Sequence, residues 1–138
     1  MFRKESTMGI LWTVWPLDDD MKSYLDEEGI NHPEAPSRFP TGHEIKEALK
    51  NIEGYNISYY DNGVGQSWQA SIESATNPED SWTLLNVSEY SGDNEPQQLW
   101  FEKGDENLIK LILRSLSLNC GPLTLIADCG GPPQVIKT

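Results

Sequence analysis

A chain of 138 residues with 10 Lys and Arg against 22 Asp and Glu carries a formal net charge of −12, a balance that disfavours nucleic acid and anionic membrane as partners. Its composition, 37% hydrophobic and 9% aromatic, suits a single domain with an ordinary core and not a disordered segment. No apolar run approaches the roughly 18 residues of a membrane-spanning helix, and two cysteines are too few for a disulfide framework.

The start, Met1-Phe2-Arg3-Lys4-Glu5, has basic residues but no long apolar core and no small-residue cleavage site after Ile10-Leu11-Trp12. It does not read as a signal peptide, so a cytoplasmic protein with reduced thiols is expected. Residues 9–17 (GILWTVWPL) predict a first strand, closed by Pro16 and the run Asp18-Asp19-Asp20. Any of those aspartates can cap a short helix through Leu25 that stops near Gly29. The proline-rich stretch at residues 31–40 predicts a loop. Thr41, with Glu44 three residues on, is a capping box. Behind it Ile45, Ala48, Leu49 and Ile52 form one apolar stripe at helical spacing, and Gly54 ends the helix.

Four strands follow. Tyr55, Ile57 and Tyr59 alternate with Asn56, Ser58 and Tyr60 before the turn at Asn62-Gly63. Trp68, Ala70 and Ile72 alternate with Gln69, Ser71 and Glu73 up to Asn77-Pro78. Residues 82–89 give a third strand, with Leu85 and Val87 on one face and Asn86 and Ser88 on the other. An acidic loop at residues 91–96 leads to a short aromatic strand at residues 98–102. Asp105 is the expected N-cap of the strongest helix, whose stripe is Leu108, Ile109, Ile112 and Leu116, and Cys120-Gly121-Pro122 stops it. Residues 123–127 make one more strand, and Val135-Ile136 adds at most a last short pairing. The order β-α-β-β-β-β-α-β predicts an α+β fold: a single antiparallel sheet of five or six strands with two main helices on one face.

No constellation carries chemistry. His32, Glu34 and His43 could be joined as metal ligands, but solvated loop and helix-start residues are the better reading. The acidic runs at residues 18–20 and 26–28 lack the calcium-loop pattern. Gly130-Gly131 is followed by two prolines and no Lys, so it lacks the amide donors of a phosphate cradle. Cys129 sits in acidic surroundings that favour the thiol over the thiolate, and Cys120 reads as a small buried apolar residue. No cofactor is implied, and enzyme activity is the less favoured reading.

Residues 51–102 contain no Lys and no Arg, yet carry the acids Glu53, Asp61, Glu73, Glu79, Asp80, Glu89, Asp93, Glu95 and Glu102. Alternation turns several of these outward, which makes a surface suited to a basic protein partner. Glu73, Glu89, Asp93, Glu95 and Glu102 are the candidate charges. Trp100 alternates with Leu99 and Phe101, so it either points outward as an interface anchor or caps the sheet edge. Trp68 and Trp82 start their strands and fit the core pattern, while Trp12 and Trp15 are left open.

The C-terminal third runs Leu99-Trp100-Phe101-Glu102-Lys103-Gly104, then a helix to Asn119, then Cys120-Gly121-Pro122-Leu123-Thr124-Leu125-Ile126. It resembles small bacterial immunity proteins of polymorphic and contact-dependent toxin systems. The resemblance implies a cytoplasmic inhibitor of a cognate toxin, often a basic nuclease, and transfers no inhibitory residues. The competing expectation is a small-molecule-binding or enzymatic α+β domain with a pocket between sheet and helices, lined by Tyr55, Tyr59, Trp68 and Trp82.

Overall fold

A computed structural model describes residues 10–137. Gly9, the first residue of the predicted opening strand, and Met1 to Glu5 lie outside the described residues. In chain order the elements are β1 (Leu11–Pro16), α1 (Asp19–Glu27), α2 (Gly42–Lys50), β2 (Tyr55–Asp61), β3 (Trp68–Ser74), β4 (Trp82–Val87), β5 (Leu99–Glu102), α3 (Glu106–Cys120), β6 (Leu123–Ala127) and β7 (Gln134–Ile136). The fold is α+β, as expected. The single sheet has seven strands in the order β2-β3-β4-β5-β1-β6-β7, with every neighbouring pair antiparallel. It therefore exceeds the expected five or six strands, because the three-residue β7 pairs with β6 through Leu123↔Ile136. The short helix after the aspartate run is also real, so the described residues form three helices.

β1 is first in sequence but sits between β5 and β6 in space. Both neighbours run antiparallel to it, so β5 and β6 run the same way and need a crossover connection. α3 is that crossover.

The caps are where the side-chain chemistry puts them. Thr41 accepts from the Glu44 amide and the Glu44 carboxylate accepts from the Thr41 amide, which completes the capping box of α2. Asp105 accepts from the Asn107 amide at the start of α3, and Asp18 accepts from the Met21 amide at the start of α1. α2 ends at Lys50 with Asn51 as its C-cap, short of the expected Ile52, which is only partly buried. Gly42 is buried in the first turn of α2, where a Cβ would overlap the Tyr90 hydroxyl. No larger residue enters there without moving the loop after β4.

One face of the sheet holds the core. Ile45, Ala48 and Leu49 of α2 and Leu108, Ile109, Ile112, Leu113 and Leu116 of α3 join Trp12, Val14, Trp68, Ala70, Ile72, Leu85, Val87, Leu99, Phe101, Leu123 and Leu125 in a single cluster. The two stripes therefore lie on the same face. Trp82 is a correction. Thr83 is fully buried and pairs with Ile72, so Trp82, one residue earlier, points to the other face and is only half-buried. Period-2 alternation counted back from Leu85 and Val87 gives this phase. The expectation for Trp82 followed its place at the start of the strand, like Trp68, instead.

Candidate protein-binding face

The face turned away from α2 and α3 can be read row by row from the strand register. One row runs Tyr60, Gln69, Asn86, Trp100, Thr13, Ile126 across β2, β3, β4, β5, β1 and β6. The next runs Ser58, Ser71, Leu84, Glu102, Leu11. A third places Asn56, Glu73 and Trp82 side by side. None of the seven strands contains a Lys, Arg or His, and their only charged residues are Asp61, Glu73 and Glu102. The absence of cations first visible between residues 51 and 102 thus extends to β1, β6 and β7. Among the described residues, every basic side chain lies on a helix or loop, and Lys22, Arg38, Lys46 and Lys110 are in ion pairs there.

The six expected binding residues divide. Glu73, Trp100 and Glu102 share the outer face, with Glu73 exposed and the other two half-buried. Trp100 points away from the core and lies on a central strand, so it is no edge cap; its indole N–H donates to Ser88 Oγ at 3.3 Å. Glu89 is exposed just past β4, beside that serine, at the rim of the same face. Asp93 and Glu95 belong elsewhere. The Asp93 carboxylate turns to α2, accepting from Lys46 Nζ at 2.8 Å and from the Tyr90 hydroxyl, and these two donors hold it below the usual aspartate range. Its charge is already matched by a cation that sequence spacing alone could not bring to it. Glu95 is exposed in the same loop, where its carbonyl accepts from the Gly42 amide and the Gln97 side chain.

The structure also adds residues. A groove of about 540 Å³ opens on the outer face between β1, β5 and the end of the proline loop, lined by Thr13, Trp15, Phe39, Ser88, Glu89 and Trp100 among others. Trp15 is 42% exposed. Its indole N–H donates to Thr13 Oγ1 at 3.1 Å, and its ring lies 6.3 Å from that of Phe39. The outward phase of Trp15 follows from Trp12 and Val14 pointing inward, but the sequence does not say which face of β1 is core. Phe39 comes from an irregular loop and gave no signal. Asp128, at the end of β6, is a further acid beside Leu11, whose amide donates to its Oδ1 at 3.1 Å.

A second groove, about 570 Å³, lies on the helix side between α2 and the edge strand β2. Tyr55, Tyr59 and Trp68 line it, as the competing expectation had them, together with Lys46, Lys50 and Ile57. Trp82 does not, because it is on the opposite face. Trp68 is sandwiched between Tyr59 and Tyr90, each at 5.8 Å between ring centres, and Lys46 Nζ stands 5.0 Å over the Tyr90 ring.

The remaining reactive groups are accounted for locally. Burial pushes the Cys120 thiol up to about 11, so it stays protonated and packs as an apolar group; Cys129 is exposed, and neither cysteine is in a disulfide. His32 is not a solvated loop residue. Its side chain is only 7% exposed, with Nε2 2.9 Å from Asp26 Oδ1 and Nδ1 3.3 Å from the Pro33 carbonyl. Among the described residues, no group of three or more His, Cys, Asp or Glu is arranged to hold a metal ion, and no helix is long and apolar enough to cross a membrane.

Fold and face together define an α+β protein with helices α2 and α3 packed on one side of an antiparallel sheet whose strands carry no cation. Comparison with protein-family models, curated proteins and solved structures gives no match, so the face is read from its own geometry.

Proposed function

We propose that this chain is an acidic protein-binding module that engages a basic protein through the outer face of its sheet, and that it acts as an immunity protein inhibiting a basic cognate toxin. The observation that carries the reading is the absence of any basic residue from all seven strands. Glu73 and Glu102 lie on the outer face and Glu89 at its rim, with tryptophans between them. Such a face offers a basic surface attraction without compensating repulsion and offers its tryptophans as apolar anchors. The C-terminal likeness to immunity proteins supplies the inhibitory role. The test is binding to a basic candidate partner, taken first from the products of neighbouring genes, at low and high salt. Tight, salt-sensitive binding supports the reading; salt-independent binding opposes it.

The groove between α2 and β2 favours a second reading, a small-molecule-binding domain. Its floor is aromatic and its rim carries Lys46, Lys50, Glu47 and Asp61, the mix of apolar wall and few polar groups that ligand sites use. A ligand held there would shift the signals of Tyr59 and Trp68 and leave the outer face undisturbed.

A further inference from the structure

We propose that the groove between Trp15 and Trp100 seats an arginine side chain of the basic partner, an inference that rests on the acidic-interface reading above. Thr13 pairs with Trp100 across β1 and β5, and Trp15 lies two residues further along β1 on the same face. The two tryptophans are therefore diagonal neighbours, a placement that sets their Cβ atoms about 7 Å apart. The groove of about 540 Å³ that both residues line leaves room for one planar group against an indole face. Each indole N–H is already spent, on Thr13 Oγ1 and on Ser88 Oγ. These bonds fix the rings and leave only their π surfaces for a ligand. Phe39 closes the groove behind Trp15.

The Glu89 carboxylate stands at the lip and has no ion-pair partner among the described residues, and no Lys, Arg or His lines the groove. Fixed π surfaces plus one unmatched carboxylate select a flat, donor-rich cation. A guanidinium can stack flat on an indole face and donate to Glu89 at once, whereas the compact ammonium of Lys has no flat face to stack. An arginine here would be the buried anchor, surrounded by the exposed charges that steer the approach.

The test uses the whole protein and needs no partner. N-acetyl-arginine amide is titrated into isotope-labelled protein while the five indole N–H signals are followed by NMR, with Trp15→Phe and Trp100→Phe assigning two of them. N-acetyl-citrulline amide has the same shape without the charge and serves as control. The expected result is saturating shifts at Trp15 and Trp100 with the arginine compound only, with affinity falling about fivefold in Glu89→Gln. Equal shifts with citrulline, no shift at these two indoles, or unchanged affinity in Glu89→Gln would overturn the arginine seat. That failure is separable from failure of the wider reading, which is judged by salt dependence and by charge reversal at Glu73 and Glu102, both outside the groove.

Discussion

Glu44 and Arg38 meet through two parallel hydrogen bonds, Nη1 to Oε1 at 2.7 Å and Nη2 to Oε2 at 2.8 Å. The same Glu44 carboxylate accepts from the Thr41 amide, and the same Arg38 donates to the Asn119 carbonyl near the end of α3. One acid thus completes the cap of α2 and, through one arginine, ties the proline loop to both core helices. Arg38 holds the Glu44 carboxyl below its usual range. A depressed carboxyl contributes stability above its unfolded pKa of about 4.3 and loses it as pH falls through the lower folded value. Glu44→Gln should therefore cost about 1 kcal/mol at neutral pH, the low end for a charge-assisted pair whose arginine is half-exposed. Urea unfolding at a series of pH values checks both points. The difference between the two proteins should shrink below pH 4, and a constant gap would contradict the assignment.

Ile109 and Ile112 are fully buried on the sheet side of α3. Truncating either to Ala leaves a cavity and should cost about 2–5 kcal/mol. Leu118 on the same helix is 70% exposed, so Leu118→Ala should stay within about 0.5 kcal/mol. Urea midpoints of the three variants measure this. Equal effects at all three positions would mean the helix is rotated from the phase described.

These helices were legible because their signals are local. A threonine three residues before a glutamate, an aspartate before an apolar stripe and a glycine after it act within a few residues. The strand phases at Trp68, Leu85 and Trp100 were legible in the same way. What stayed hidden depends on long-range pairing. Nothing near Leu11 says that β1 lies between β5 and β6, and nothing near Phe39 says that it faces Trp15. Asp93 looked like a free surface acid because Lys46, its partner, is 47 positions away. β7 is too short to carry a period of its own; only its pairing with β6 makes it a strand.

His32 has an acceptor oxygen at each ring nitrogen, the Asp26 carboxylate and the Pro33 carbonyl, and Glu34 lies 3.7 Å from Nδ1. Only the doubly protonated ring donates to both. The hydrogen bond to Asp26, foremost, raises its pKa. A raised histidine contributes stability that is complete below the unfolded value of about 6.5 and is lost as pH rises through the folded one. The NMR titration of His32 should therefore have a midpoint above that unfolded value, and Asp26→Asn should lower it. A midpoint unmoved by Asp26→Asn would show that the contact does not hold the proton.

Glu73 and Glu102 occupy adjacent rows of the outer face, on β3 and β5. Solvent-facing charges of this kind, one exposed and one half-buried, act mainly on encounter, because their field reaches a partner before contact and is screened beyond about 8 Å at physiological salt. Reversing both to Lys should slow association with a basic partner by about tenfold or more at low salt and flatten its salt dependence, with little change in dissociation. Trp100→Ala should do the opposite, leaving association nearly unchanged and speeding dissociation, since a tryptophan anchor matters only once the surfaces have met. Asp93→Ala gives a third pattern. Its carboxylate is bound to Lys46 and Tyr90, so the substitution should loosen the loop after β4 and leave the association rate near that of the unaltered protein. Stopped-flow or surface-based kinetics on these variants at two salt concentrations separates the three. If the Glu73/Glu102 reversal leaves association untouched while Asp93→Ala slows it, the partner binds by the loop over α2, and the outer face is not the interface.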